Sequence, residues 1–149
     1  MTGADNQQER LENSWIAGFV DGEGCFHVAI NKLPKMTLGY QVLPEFRIVQ
    51  HKRDLQILKR IGKDLNVGVV RNNHGDRYEL RVRDLQELNV VVNFFEKYPL
   101  MTKKRRDFEL FKKIIFLMNK KEHLKPEGIK LICEIASGMN RQVAKSIVF

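Results

Sequence analysis

Polar and apolar residues alternate in four short segments of the chain, and this alternation limits the possible folds more than any other feature. Two of the segments are CFHVAIN (25–31) and QVLPEFRIVQ (41–50), in which the alternation predicts two half-buried strands. A third stretch, VGVVRNNHGDRYELRVR (67–83), predicts a hairpin that turns within residues 72–76. An amphipathic helical segment follows each pair of strands. The chain is therefore expected to form one antiparallel sheet with helices on one face.

The expected fold class is α+β, with a single domain over residues 1–149. The predicted order is helix, two strands, helix, two strands and helix, followed by two further helices. In the last of these, Pro126 occupies the first turn and Gly138 the end. Residues 1–12 are interpreted as an N-terminal arm and residues 141–149 as a C-terminal tail.

The charge and composition of the chain limit the kinds of partner that it is expected to bind. The chain has 26 Lys and Arg against 18 Asp and Glu, a net charge of +8. This excess favours a polyanion such as nucleic acid, although a merely soluble basic protein stays open. Cys25 and Cys133 form no CxxC pair, and the four histidines lack zinc spacing, so a reducing intracellular compartment is expected. No signal, transit or membrane-spanning segment is seen, which predicts a cytoplasmic or organellar protein with no membrane partner.

One face of the predicted sheet carries the residue types that read base edges. Arg suits guanine, Asn and Gln suit adenine, and Glu accepts from cytosine. An ordinary solvated face is the alternative. The candidate DNA-binding residues are His27, Asn31, Gln41, Glu45, Arg47, Arg71, Asn73, Arg77, Glu79 and Arg81.

The stretch WIAGFVDGEG (15–24) places two acids and three glycines at the end of an apolar helix. The helix is expected to begin near Asn13 or Ser14, either of which could cap it. It should stop at Gly22 or Gly24, because glycine adopts the left-handed C-terminal turn at little cost.

Small residues four apart on this helix would allow a second backbone to approach closely. Gly18 and Gly22 have that spacing, and Ala17 lies beside them. A close pair of such helices would bring Glu23 of each near a common axis. Paired carboxylates bind divalent metal ions that hydrolyse phosphodiesters. A buried helix with a glycine-rich C-terminal cap is the alternative.

The same stretch resembles the LAGLIDADG motif of homing endonucleases, with residues 16–24 at its nine positions. The resemblance extends through YPLMTKKRRDFELF (98–111), which is similar to the basic segment of the family, and LKPEGIKLICEIASGMN (124–140), which is similar to its C-terminal helices. Only one copy of the motif is found. The resemblance therefore implies a saddle-like four-stranded sheet and a homodimer that associates through the motif helix, with contacts at Ala17, Gly18, Asp21 and Gly22.

The resemblance also implies the roles of the site residues. Glu23 matches the metal-binding carboxylate, and Gly22 matches the residue whose backbone carbonyl faces the metal. Gln50 matches a polar residue that positions water, and Lys104 matches the lysine near the scissile phosphate. Some relatives have a basic residue shortly after the Gln50 position, for which Arg53 is a further catalytic candidate.

Asp21 matches an acid that is chiefly structural in the family. The implied cofactor is Mg²⁺, with Mn²⁺ as a possible substitute and Ca²⁺ supporting binding without cleavage. The function implied is that of an intron-encoded, site-specific endonuclease that cuts both strands of DNA and leaves short 3′ overhangs. Two subunits would cover about 16 to 20 base pairs of a partly palindromic site. The alternative is a non-cleaving nucleic-acid binder, such as a maturase that acts on intron RNA, or a regulator.

Overall fold

The computed structural model of the chain describes residues 9–139. It contains five α-helices and four strands in the predicted order. Their bounds are α1 Asn13–Glu23, β1 Gly24–Lys32, β2 Tyr40–His51, α2 Leu55–Leu65, β3 Val69–His74, β4 Arg77–Val82, α3 Leu85–Lys97, α4 Lys104–Asn119 and α5 Pro126–Ser137. Short 3₁₀ turns at Lys52–Asp54 and Glu122–Leu124 precede α2 and α5.

The strands form one antiparallel sheet in the order β1-β2-β4-β3. This confirms the predicted α+β class. Pro44 of β2 lies opposite Val28 of β1, whereas the pairing of β2 with β4 begins only at Phe46. The missing amide of Pro44 therefore falls where β2 is an edge strand, the position that proline tolerates.

A cluster of buried phenylalanines joins the sheet to the helices. Phe26 of β1 lies within 5.1 to 5.8 Å, between ring centroids, of Phe46, Phe95, Phe108 and Phe111. All five rings are essentially inaccessible to solvent. Because these rings come from β1, β2, α3 and α4, the helices cover one face of the sheet and leave the other uncovered by them.

Truncation of Phe26 should destabilise the fold strongly. We expect Phe26→Ala to lower the free energy of unfolding by about 3–5 kcal/mol, since it removes the ring at the centre of the cluster and leaves a cavity. Urea denaturation followed by circular dichroism measures this. Phe116 is 56% exposed, and the matched change Phe116→Ala should cost much less. Equal losses in both variants would contradict the central role of Phe26.

The ends of α1 differ from the prediction. The residue that precedes the helix is Glu12, not Asn13 or Ser14, and its side chain makes no capping hydrogen bond. Gly24 follows the helix with φ −84° and ψ 168°, so it is extended rather than left-handed. A side chain at Gly24 would be obstructed, because its Cβ would lie 2.7 Å from Val20 Cγ1. Glycine is required there by close packing, as the chain passes directly from α1 into β1.

The predicted tail, residues 141–149, and most of the predicted arm lie outside the described residues. Within residues 9–139 neither cysteine forms a disulfide, and none of the helices has the length and hydrophobicity of a membrane span.

Candidate active site and basic sheet face

The end of α1 brings together the first two of the predicted catalytic side chains. Gly24 of β1 is opposite Ile48 of β2, so Glu23, at the end of α1, lies near the end of β2 that carries Gln50. Gln50 Nε2 donates a hydrogen bond of 2.7 Å to Glu23 Oε1. Glu23 is exposed. The hydrogen bond fixes the orientation of a carboxylate that is open to solvent, as a ligand for a cation must be.

Lys104 reaches the same end of α1 from α4. Its Nζ donates a hydrogen bond of 3.2 Å to the backbone carbonyl oxygen of Val20. The last turn of a helix carries partial negative charge and carbonyl groups without helical partners, so an ammonium group is favoured there. The structure thus places Glu23, Gln50 and Lys104 at one helix terminus, although Lys104 lies more than 50 residues away from the other two in the sequence.

Asp21 holds the segment that carries Lys104. Its carboxylate accepts hydrogen bonds from the backbone amides of Met101, at 2.7 Å, and Thr102, at 3.1 Å, and from the Thr102 hydroxyl. Thr102 Oγ1 in turn accepts a hydrogen bond from the Lys104 amide. Burial raises the pKa of Asp21, but the hydrogen bonds from Thr102 and Met101 outweigh it and leave the pKa below its ordinary value. The contacts of Asp21 are therefore those of a structural residue.

Replacement of Asp21 should reduce stability before it affects chemistry. The depressed pKa means that the stabilisation is fully present above the ordinary pKa of 3.8 and is lost as the pH falls through the lower folded value. We expect Asp21→Asn to cost about 1–2 kcal/mol at pH 7, allowing for solvent screening, and the deficit to shrink below about pH 4. Thermal denaturation as a function of pH measures both.

Asp54 provides the control for this change. It is exposed and makes no capping hydrogen bond to α2. Asp54→Asn should alter the free energy of unfolding by less than about 0.5 kcal/mol. A deficit in Asp21→Asn that stays constant down to pH 2 would contradict the role given to its ionised carboxylate.

No residue between positions 9 and 139 fills the small-residue face of α1. A Cβ built on Gly18 or Gly22 would meet nothing within 4 Å. Beside Gly18 lies a cleft of about 310 Å³, bordered by Asp21, Tyr98 and Met101, and Met101 is 83% exposed. Ala17 differs from its predicted neighbours, because it is only 7% exposed and packs into its own core. Gly18 and Gly22 therefore leave a flat surface on which a second backbone could lie.

The sheet face opposite the helices carries the predicted DNA-binding residues. The register places His27 opposite Glu45, Asn31 opposite Gln41, Arg47 opposite Arg81, and Arg71 opposite Glu79. Residues that are opposite one another share a face, so these eight lie together. The same face includes Val49, opposite Glu79, an apolar position that the sequence analysis left out.

The tip of the second hairpin differs from the simple alternation. The register of β3 with β4 shifts between Asn72 and His74, so that His74 rather than Asn73 is opposite Arg77. A one-residue bulge of this kind cannot be read from the period-two pattern. His74 therefore joins the face that Asn73 was predicted to occupy with Arg77.

The two predicted glutamates require a correction. Glu45 and Glu79 were expected to lie open on the sheet face and accept hydrogen bonds from cytosine. They are only 6% and 4% exposed, and both form ion pairs with arginines of their own chain. The alternation predicted correctly that both glutamates lie on the sheet face opposite the helices. It cannot show that long arginine side chains cover the shorter glutamate side chains.

Arg53 is not brought into the catalytic group by any described contact. It lies in the 3₁₀ turn after β2, where its backbone amide donates to His51 Nδ1. The His51 imidazole caps this turn, and its Nε2 lies 3.9 Å from Asp76 Oδ2. Within residues 9–139 the Arg53 guanidinium forms no ion pair, and the side chain is exposed.

The oxygen donors at the end of α1 fit a hard divalent cation. The Glu23 carboxylate and the backbone carbonyl of the exposed Gly22 are ligands of the kind that Mg²⁺ and Ca²⁺ prefer. In the described part of the chain there is no group of three or more His, Cys, Asp and Glu that could hold a metal. At this position the described chain offers the Glu23 carboxylate and no cluster of further side-chain ligands.

A family model described as LAGLIDADG endonuclease matches residues 16–115, the span that includes most of α1, the sheet and most of α4. The chain belongs to this family.

Three similar proteins show how the chain compares with its relatives. The crystal structure of the homing endonuclease I-TnaI is 55% identical, covers 89% of this chain and 90% of its own, and has a TM-score of 0.86. I-SmaMI, a LAGLIDADG homing endonuclease solved with cleaved DNA, is 30% identical over 91% of this chain and 46% of its own, with a TM-score of 0.88. It has also been solved with an uncleaved DNA target in the presence of calcium ions. A probable intron-encoded endonuclease of Neurospora crassa is 36% identical over 92% of this chain.

The chain spans about a third of the length of that Neurospora relative, 31%, and under half of I-SmaMI.

Proposed function

We propose that this chain is one subunit of a homodimeric, intron-encoded homing endonuclease that binds a long, partly palindromic DNA site and hydrolyses both strands. The observation that carries the proposal is the convergence of Glu23, Gln50 and Lys104 at the end of α1, directly beside the open face of Gly18 and Gly22. Two copies joined through that face would bring two such groups together. One group would then serve each strand.

The roles proposed for the three side chains combine the family resemblance with the contacts that each one makes. Glu23, with the Gly22 carbonyl, would hold the divalent metal, Mg²⁺ or Mn²⁺, which when bound activates water and stabilises the leaving oxygen. Gln50 orients the Glu23 carboxylate and is placed to hydrogen-bond a water molecule. The Lys104 ammonium lies at the same end of α1, and in the proposed complex it would stabilise the negative charge that builds up on the phosphate.

The charge and shape of the sheet face support DNA as the substrate. The net charge of +8 favours a polyanion, and the uncovered face presents arginines in register on neighbouring strands. I-SmaMI, a relative of similar fold, has been solved with DNA, and several relatives are named as intron-encoded endonucleases. These names favour cleavage over a splicing role. They also support action in a compartment that contains intron-bearing genes, the cytoplasm or an organelle.

A cleavage assay tests the proposal. The purified chain is incubated with a duplex that spans the uninterrupted insertion site of its intron, in Mg²⁺, in Ca²⁺ or in EDTA. We expect a double-strand break with short 3′ overhangs in Mg²⁺, bound but intact DNA in Ca²⁺, and no cleavage in EDTA. A scrambled duplex of equal length is the control. Cleavage that persists in EDTA, or none in Mg²⁺ on any duplex that the protein binds, would contradict the proposal.

A further inference from the structure

Two buried carboxylates lie in the middle of the basic sheet face. Among the described residues, Glu45 and Glu79 are the buried charged side chains, with 6% and 4% exposure. Burying a carboxylate is costly unless it is paired, and replacing such a pair by apolar residues is often neutral or stabilising. Their presence is therefore poorly explained by stability alone.

Each carboxylate lies within 4.0 Å of more than one arginine side chain. Glu79 lies 3.7 Å from Arg71 Nε, 3.9 Å from Arg81 Nη1 and 4.0 Å from Arg47 Nη1. Glu45 accepts a 2.8 Å hydrogen bond from Arg83 Nε and lies 3.7 Å from Arg47 Nη1. Both oxygens of each carboxylate are engaged, and Arg47 links the two groups. We call these six residues the arginine–glutamate network.

The arginines of the network are only partly used by these contacts. Their side chains are 24% to 50% exposed, whereas the glutamates lie beneath them. A guanidinium has five N–H donors in a rigid fork, so a carboxylate at one edge leaves the other donors available. Arg47 and Arg81 are also directly opposite each other, an arrangement of like charges that is unfavourable without a counter-ion.

We propose that Glu45 and Glu79 are positioning residues that determine DNA specificity without contacting a base. Their carboxylates hold the guanidinium groups of Arg47, Arg71, Arg81 and Arg83 in fixed orientations, with free donors directed away from the sheet. Pre-orientation reduces the side-chain entropy that each arginine loses on binding, and it favours bidentate contact with guanine over loose contact with phosphate. This inference rests on the proposed DNA-binding function.

A change in the arginine–glutamate network should alter the preference for the cognate DNA site without weakening the overall affinity for DNA. Glu79→Gln keeps the size of the side chain but removes its charge, so Arg47, Arg71 and Arg81 lose their common counter-ion. The net positive charge of each subunit rises by one, which favours phosphate contact and does not weaken binding to arbitrary DNA. The cognate site should lose its advantage while a scrambled duplex keeps or gains affinity.

The first experiment measures arginine order without DNA. Relaxation of the Nε–Hε groups by NMR is compared between the wild type, Glu79→Gln and Glu45→Gln. Glu79→Gln should mobilise Arg71 and Arg81, and Glu45→Gln should mobilise Arg83. Glu134, exposed on α5, supplies the matched control Glu134→Gln, which should change none of them. Arginines that stay as ordered in both variants as in the wild type would overturn the proposal.

The second experiment measures base preference. Each protein is used to select from a pool of duplexes randomised over the half-site, and the cognate-to-scrambled affinity ratio is then measured. We expect Glu79→Gln to lower this ratio about tenfold, and to relax the same positions that Arg71→Ala and Arg81→Ala relax. In the double variant Glu79→Gln/Arg81→Ala, the cognate-to-scrambled affinity ratio should fall by a smaller factor than the product of the factors for the two single variants. Glu45→Gln is an independent test should Glu79→Gln fold poorly.

Two other outcomes are distinguishable. If Glu79→Gln alters preference at one position that no arginine variant affects, Glu79 reads a base itself and the proposal is wrong. If the wild type binds all duplexes with equal affinity, the proposed function is wrong, and the role of the glutamates in specificity is wrong as well. The relaxation data would then still report whether the carboxylates order the arginines.

Discussion

Glu23→Gln is expected to bind target DNA and to leave it uncut. Gln has the size of Glu and can still pair with Gln50, so the end of α1 should pack as before. It lacks the negative charge that helps hold a divalent cation, and the stabilisation of the reacting phosphate depends on that cation. We expect the cleavage rate in Mg²⁺ to fall at least about a thousandfold, which corresponds to about 4 kcal/mol of transition-state stabilisation.

Binding should survive the same change. It depends on the sheet face and on basic residues outside the motif, and the loss of one negative charge near the phosphates should not weaken it. Single-turnover cleavage and a gel-shift titration on the same duplex separate the two effects. Glu134→Gln, which removes the same charge from α5, is the control and should cut normally. A Glu23→Gln protein that cuts at a near wild-type rate would show that Glu23 is not the metal ligand.

Gly18→Leu is expected to prevent self-association and, as a consequence, cleavage. Among the described residues of its own chain, a Cβ at Gly18 has no neighbour within 4 Å, so the new side chain starts in open space. The monomer should therefore fold, and the replacement of a helical glycine should favour α1. Across a close helix pair, two leucines would force the backbones apart. We expect the dimer dissociation constant to rise about a hundredfold or more.

Sedimentation velocity over a range of concentrations, without DNA, tests this expectation. Gly18→Ala should have a smaller effect, and Glu134→Leu, a bulky apolar change on the exposed side of α5, should leave the dimer intact. Thermal denaturation confirms that each variant is folded. A wild-type protein that sediments as a monomer and still cuts both strands would contradict the homodimer.

The strands and their faces were predictable because the signal is local. The alternation of polar and apolar residues in β1, β2 and β4 indicates which side chains share a face of the sheet. Successive side chains of any strand point to opposite faces, so this pattern does not depend on distant contacts. The family was also predictable, since residues 16–24 carry its motif in one continuous stretch. The class of fold and the candidate residues Glu23, Gln50 and Lys104 could therefore be named before any coordinates.

Local rules failed at the ends of elements. Gly22 or Gly24 was expected to end α1 in the left-handed conformation, but Gly22 lies within the helix and Gly24 is extended and packs against Val20. Asn73 was expected on the sheet face with Arg77, but a register shift brings His74 there. In both places the decisive contact comes from a neighbour that the pattern itself does not specify.

What the sequence determined by itself is the set of side chains and, along the regular parts of the strands, the face on which each lies. Only the tertiary structure decided which of these side chains are exposed and which are engaged by other residues of the chain. Asp21 is engaged by Met101 and Thr102, about 80 positions away, and Glu45 is engaged by Arg83, 38 positions away. Burial and ion pairing depend on such long-range contacts, which alternation and spacing do not encode. For that reason the glutamates were read as base contacts, whereas the fold makes them the support of the arginines.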